Sequence, residues 1–418
     1  MAENTVIDDK MSSTINIKVP QLRFKEFNGE WDSKKLNKIA KIYDGTHQTP
    51  KYTDSGVKFV SVENIHDIYN TDKFISEEEF KKFKIKPQID DILMTRITAG
   101  VIGDTYIVDR EEDLGYYVSL ALIRKESNDD ISFLNYYINS SEFKHELHRR
   151  IIHVAFPKKI NLGDIGDCSV KLPTKDEQEK LSNFLSSIDE LISTQEKKVR
   201  TLELYNKGLK KDVFTQKIRF TDEKSNEFPK WEVKPLKDNF SKVVDNRGKT
   251  PPLSDKGYPL IEIGSVGNYY VNYNNIIKYV DENTYKTWFR QHLNKGDILF
   301  STVGSTAMCS YYDETIKCCV AQNIVGLRFN EKCDSRFMFY LLTEEKNNRY
   351  IKSIQMNGVQ PSIKVTQFIK LTFPIPSLEE QQKIADFLTS LDDVLQSEKD
   401  YLEKLKLIKK GLLQKMFV

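Results

Sequence analysis

The chain has 418 residues, 39% of them hydrophobic, with 20 Tyr and 23 Phe, so it can fill two or three packed domains and is not a disordered protein. Its 63 Lys and Arg against 61 Asp and Glu leave a formal charge of +2, which excludes a histone-like binder held by bulk charge but permits a basic face. Five cysteines without CxxC spacing and the lack of any apolar run of membrane length point to free thiols in a reducing cytoplasm, with no membrane partner.

In chain order, residues 1–18 are polar and read as a flexible tail. Residues 19–171 open with Val19-Pro20, Trp31 and Leu36, then a polar loop, Asp44-Gly45-Thr46-His47-Gln48-Thr49-Pro50. Strand-like Val57–Val62 follows, then a turn and strand at Asp90–Arg96. Short helical patterns over Phe133–Tyr137 and Ser141–Arg150 lead to a closing loop, Phe156-Pro157-Lys158-Lys159-Ile160. Residues 172–220 then read as one long helix.

Residues 221–373 repeat the plan. Trp231 and Leu236 answer Trp31 and Leu36. The loop Asn246-Arg247-Gly248-Lys249-Thr250-Pro251 precedes strand-like Tyr258–Ile263, and Lys295–Ser301 answers Asp90–Arg96. Helical patterns at Phe337–Leu342 and Lys346–Ile354 lead to Gly358–Ile363, and a second long helix occupies 374–418. Loops of different length between matching strands indicate one fold with diverged surfaces.

The two helices repeat without a gap. Pro173, Gln178, Phe184 and Phe214 recur as Pro376, Gln381, Phe387 and Phe417, each 203 positions later. Acidic Asp176-Glu177 and Glu379-Glu380 suit the positive end of a helix. Leu181, Phe184, Leu185, Ile188 and Leu202 in one copy, and Ile384, Phe387, Leu388, Leu391 and Leu405 in the other, form apolar stripes that need a partner. Each helix, roughly 60 Å if unbroken, has the other as its natural partner. The predicted fold class is α+β: two similar domains alternating with two long helices paired as an antiparallel coiled coil, an internal pseudo-two-fold repeat.

No catalytic constellation is present. Arg247-Gly248-Lys249-Thr250 ends like a phosphate-binding loop, but Val243 stands where the first glycine is needed. Thr250-Pro251-Pro252-Leu253 is a weak match to the Asn/Asp-Pro-Pro-aromatic motif of amino-methyltransferases and reads better as a turn. His145 and His148 share a helix face without an H-E-x-x-H motif, and Asp90-Asp91 sits in a turn. No metal site is expected.

The duplicated halves, the P-x-x-x-E-Q helix starts at Pro173–Gln178 and Pro376–Gln381, the Gly296–Ser301 segment and the two Trp/Leu openings together resemble the specificity subunit of bacterial type I restriction-modification enzymes. The first half departs from the pattern: Asp90 replaces a glycine, and Lys158-Lys159 stand where the second half has Pro361-Ser362.

The resemblance implies two target-recognition domains, 19–171 and 221–373, each reading one half of a split asymmetric site in double-stranded DNA. It implies that the helices set the spacer and dock two adenine-N6 methyltransferase subunits, and through them two motor-nuclease subunits. This chain would bind no cofactor, while its partners use S-adenosylmethionine, ATP and Mg²⁺.

Bases are read by amides, Arg, Ser, Thr and aromatics on loops, and phosphates by Lys and Arg. The expected DNA-facing residues are Thr46, His47, Gln48, Lys51, Tyr52, Arg96, Lys158 and Lys159 in the first domain. In the second they are Arg247, Lys249, Thr250, Ser301, Ser305, Gln355, Asn357, Gln360 and Ser362. A self-contained enzyme and a coiled-coil scaffold without DNA readout are the rival readings. The first needs a cofactor loop the sequence lacks, and the second leaves the amide- and Arg-bearing loops unexplained.

Overall fold

The computed structural model describes residues 19–246 and 248–418. The expected tail, 1–18, and Arg247 lie outside the described residues. Two compact units emerge, one made of the described residues up to Gln195 together with Tyr401–Val418, the other of Glu196–Asp400.

In the first unit the central sheet is antiparallel, ordered Ala40–Asp44, Leu120–Lys125, Ile92–Thr95, Thr105–Ile107. Its strands Ile92–Thr95 and Leu120–Lys125 are almost wholly buried and read as continuous apolar runs. A smaller sheet pairs Val57–Val60 in parallel with Leu114–Tyr116, and Asp32–Lys35 pairs with Ser169–Leu172 next to the long helix. The second unit has the same order, Phe240–Val244, Ile324–Phe329, Ile298–Ser301, Cys309–Tyr311. It too has a parallel pair, Tyr258–Ile261 with Cys319–Val320, and a closing ribbon, Glu232–Pro235 with Thr372–Ile375.

The turn before the third strand shows why its residues recur. Asp90 and Gly296 both take positive φ, 69° and 91°, so the aspartate at 90 accepts the left-handed conformation that glycine adopts without penalty. The next residue is a structural carboxylate in both units. Arg124 Nε donates to Asp91 Oδ1 at 2.9 Å and its Nη2 to Oδ2 at 2.6 Å; Arg328 grips Asp297 at 2.8 and 2.7 Å. Each pair holds the turn to the neighbouring strand.

The long helices run Lys175–Phe214 and Leu378–Met416. Their shared start is a weld to the domain. Arg23 pairs with Glu177 through two 2.8 Å bonds, and Gln178 Nε2 donates to the Pro173 carbonyl at 3.1 Å while its Oε1 accepts from Asp130 N at 2.9 Å. In the second unit Arg219 pairs with Glu380, and Gln381 bonds Pro376 O and Asp334 N. Both Glu-Gln pairs are buried, where an unpaired carboxylate would be costly.

Within each unit the helix segments run antiparallel. Lys409 meets Asp189 in the first unit. In the second, Lys198 meets Glu398, Lys399 meets Glu203, and Lys210 meets Asp392. These pairs are half-buried for the most part but still reached by solvent, and ion pairs screened in this way contribute about 1 kcal/mol or less each; apolar burial supplies the rest.

One correction concerns the apolar stripes. Leu181, Leu185 and Ile188 join the core of the first unit, and Ile384 and Leu388 that of the second, with Leu391 packed against it. Phe184 and Phe387 meet Phe24 and Phe220 edge-on at 5.7 and 5.5 Å. The stripes thus serve the domain cores at the helix starts. Leu405 is buried and its repeat counterpart Leu202 half-buried.

Each helix ends inside a core. Phe417 lies 6.2 Å from Trp31 and 5.6 Å from Phe133; Phe214 lies 6.3 Å from Trp231 and 5.8 Å from Phe337. Such aromatic contacts add about 0.5–1.5 kcal/mol each beyond area burial. The five cysteines are unpaired thiols. Among the described residues no helix is long and apolar enough to cross a membrane.

Candidate nucleic-acid interface

The structure gathers the polar loops at one end of the central sheet in each unit. In the first, the strand Ala40–Asp44 runs into the loop carrying Thr46, His47, Gln48 and Lys51. These residues line a 670 Å³ cavity together with Lys82, Lys84 and Glu79. Thr46 Oγ1 donates to the Gln48 carbonyl at 3.1 Å, and His47 Nε2 lies 2.6 Å from Asp44 Oδ2. His47, Gln48 and Lys51 are exposed. Tyr52 stands outside that lining, its ring 5.7 Å from Phe59.

Lys158 and Lys159 form a short exposed strand against Thr98 and Ile97. Arg96 lies behind both loops. It is 8% exposed, with Nε donating to Val118 O at 2.9 Å and Nη1 to Ile160 O at 3.2 Å. Val118 N in turn donates to Thr46 O at 3.0 Å. Burial pushes the Arg96 pKa down, countered in part by Asp44. The expected outward-facing role is corrected here: the guanidinium ties the Thr46 loop to the Lys158-Lys159 loop from inside.

In the second unit Thr250, Ser305 and Gln360 line a 770 Å³ cavity with Gly248, Gln322 and Asn323, walled by the 2.8 Å Lys278–Glu262 pair. The two cavities occupy corresponding places in their units, after the first sheet strand. Lys249 is exposed and its carbonyl accepts from Asn246 Nδ2 at 3.1 Å, fixing the loop.

Ser301 is a second correction. It is buried, donating to Ser305 O at 2.7 Å and accepting from Met308 N at 2.9 Å, so it shapes the turn that presents Ser305. Gln355 accepts from Thr306 Oγ1 and donates to Asn357 Oδ1. Ser362 exchanges backbone bonds with Met356 at 2.8 and 3.1 Å, and Pro361 O accepts from Gly304 N at 2.9 Å.

Sequence reasoning passed over Gln322 and Asn323. They are polar residues between the buried pair Cys319–Val320 and the apolar strand Ile324–Phe329, a break in hydrophobicity that could have marked them. It also passed over Phe156, which is discussed below. Chemically, both cavities offer amides, hydroxyls and lysines on braced loops, the groups suited to base edges and phosphates. No group of three or more His, Cys, Asp or Glu that could hold a metal occurs among the described residues.

Comparison with known proteins places the family and the fold. The family described as "Type I restriction modification DNA specificity domain" matches residues 28–204 and 229–407. A putative type I restriction enzyme specificity subunit from Methanocaldococcus jannaschii, MjaX, is 26% identical over 420 residues, covering 91% of this chain and 92% of that one. The MjaVIII specificity subunit of the same organism is 27% identical over 252 residues, 57% and 59% of the two chains. Among solved structures, the type I restriction-modification S subunit from M. genitalium superposes with a TM-score of 0.58 at 16% identity, covering 96% of this chain and 99% of that one. A chain from a structure of type I R-M complex assembly and conformational transition gives 0.57 at 14% identity, covering 92% and 96%.

Proposed function

Because the chain belongs to the type I restriction-modification DNA specificity family and is a specificity subunit of such a system, we propose that each unit reads one half of a split, asymmetric duplex site. The carrying observation is repetition with divergence. The same sheet order, the same Arg–Asp turn and the same Glu-Gln weld occur twice, while the braced loops keep a common Thr-Pro (Thr49-Pro50, Thr250-Pro251) and differ beside it: His47, Gln48, Lys158 and Lys159 in one, Gly248, Lys249, Pro361 and Ser362 at the matching positions of the other. Two conserved frames with two different reading surfaces suit two different half-sites.

Docking of the partner subunits rests on a second repeat. Leu191, Leu204 and Tyr205 on the first long helix, and Val394, Leu407 and Ile408 on the second, are half or more exposed and lie 203 positions apart. Exposed apolar side chains at the same repeat positions suit two copies of one partner. In this reading two methyltransferase subunits bind there and supply adenine-N6 methylation with S-adenosylmethionine, and two motor-nuclease subunits join through them with ATP and Mg²⁺. This chain supplies the address, in the cytoplasm.

The test is long-read mapping of N6-methyladenine in a methylation-free host that expresses the chain with its methyltransferase. A single split motif, absent when this gene is omitted, is the expected result. A soluble, co-purifying pair that methylates no motif would return weight to the scaffold reading.

A further inference from the structure

In each unit the short helices lead into a hairpin loop whose neck is closed by backbone pairing. In the first, Ile152 N donates to Lys159 O at 2.8 Å. In the second, Met356 and Ser362 make the reciprocal pair already described. Ile160 N to Arg96 O, at 3.0 Å, and Ile363 N to Thr302 O, at 2.8 Å, bolt both necks to the central sheet.

At the tips stand Phe156, 92% exposed, and Val359, fully exposed. They occupy the same repeat position, 203 residues apart, as Lys159 and Ser362 do. A lone exposed apolar residue is ordinary. The same position left apolar and unburied in two otherwise diverged loops, each on a braced neck, is not accounted for by packing, because neither side chain packs against its own unit. In the first unit the tip also carries Val154, 97% exposed, and adjoins exposed Lys158 and Lys159, so an apolar tip is flanked on one side by charge complementary to phosphate.

We propose that the two tips are apolar wedges: on binding, Phe156 and Val359 each enter a base step of the duplex, and Lys158 and Lys159 clamp the flanking phosphates. The proposal rests on the DNA-specificity reading. An apolar side chain inserted between base pairs unstacks them and bends the duplex, and a rigid neck lets it do so without first ordering a loop. The wedge carries no hydrogen-bond code, so it adds affinity and selects deformable steps without reading a base edge.

The test uses the full chain with its methyltransferase subunit and duplexes carrying the mapped site, with 2-aminopurine placed in turn at positions other than the methylated adenine. One step in each half should brighten on binding. Phe156→Ala should quench one of them, Val359→Ala the other, and neither should alter thermal stability. Phe156→Ala should also weaken binding about tenfold, the order of a lost base–aromatic stack, and leave the methylated motif intact, whereas Phe156→Leu retains the brightening. Normal methylation with no step brightening overturns the wedge, as does brightening that survives Phe156→Ala. If Phe156→Ala instead relaxes the motif at one T·A pair without any unstacking signal, the ring reads a thymine methyl and the wedge is wrong. A wild-type complex that binds no mapped site sinks the specificity reading itself, and the wedge with it.

Discussion

Arg96 Nη1 reaches the carbonyl oxygen of Ile160 at 3.2 Å, so a buried cation fastens the loop that carries Lys158 and Lys159. This separates two ways of weakening DNA binding. Arg96→Met should lower affinity while leaving the salt dependence unchanged, because no phosphate contact is lost. Lys158→Ala should reduce the slope of log K against log salt by about one. Filter binding across a salt series checks both, and a reduced slope for Arg96→Met would place its guanidinium against the duplex after all.

Phe417→Ala should destabilise the first unit by about 3–5 kcal/mol, and Phe214→Ala the second by a similar amount, the usual cost of emptying an aromatic core site. Hydrogen exchange localises the effect. Phe417→Ala should speed exchange in Leu120–Lys125 and spare Ile324–Phe329, and Phe214→Ala should do the reverse. Equal loss in both strands for either variant would contradict the separate plugs.

What the sequence revealed follows the physics of repetition. A 203-residue offset needs only residue identity, so the Glu-Gln starts and the closing Phe214 and Phe417 were visible at once. Periodicity then gave the long helices, because Leu181 through Leu202 recur on one face. It could not say what that face touches. Leu185 and Ile188 look alike as coiled-coil or domain-core residues, and only the tertiary structure assigns them to the core. Arg96 and Ser301 misled for a related reason: a polar residue at the end of a strand looks exposed, and its burial depends on which backbone carbonyls and amides the folded chain brings to it. Phe156 was placed in the closing loop but not singled out, because the sequence does not show whether a loop aromatic folds back onto its domain or stands clear of it, as this ring does.

His292 gives a pH prediction. Its ring stacks on Tyr285 at 4.2 Å, its Nδ1 is buried without a partner, and Arg328 Nη2 donates to its carbonyl at 2.8 Å. Burial lowers its pKa below the ordinary imidazole value. The fold therefore holds a neutral ring while the unfolded chain takes up a proton, so its contribution is fully present above about pH 6.5 and is lost as pH falls through the lowered folded value. Denaturation of the wild type between pH 7.5 and 5.5 should show this decline, and His292→Gln should flatten it. Parallel curves for the two proteins would remove His292 as the cause.

If the paired helices set the distance between half-sites, four residues inserted after Thr194, about one helical turn or 6 Å, should lengthen the spacer of the methylated motif and leave both half-sites unchanged. Methylation mapping reads this directly. An unchanged spacer in an active variant would show that helix length is not the ruler.

The split composition of the first unit also bears on synthesis. Its residues up to Gln195 are joined by Tyr401–Val418, while the second unit is the continuous run Glu196–Asp400. At roughly 5–20 residues per second, the first unit waits roughly 10–40 s on the ribosome for the segment that brings Phe417. The unit translated later is thus the first with all its parts, and the earlier one stays open, with Trp31 and Phe133 short of a neighbour, until Tyr401–Val418 has been made. Chains that end at Asp400 and have been released from the ribosome should therefore resist protease in the second unit and be cut in the first. For this protein, translation order and folding order run in opposite directions.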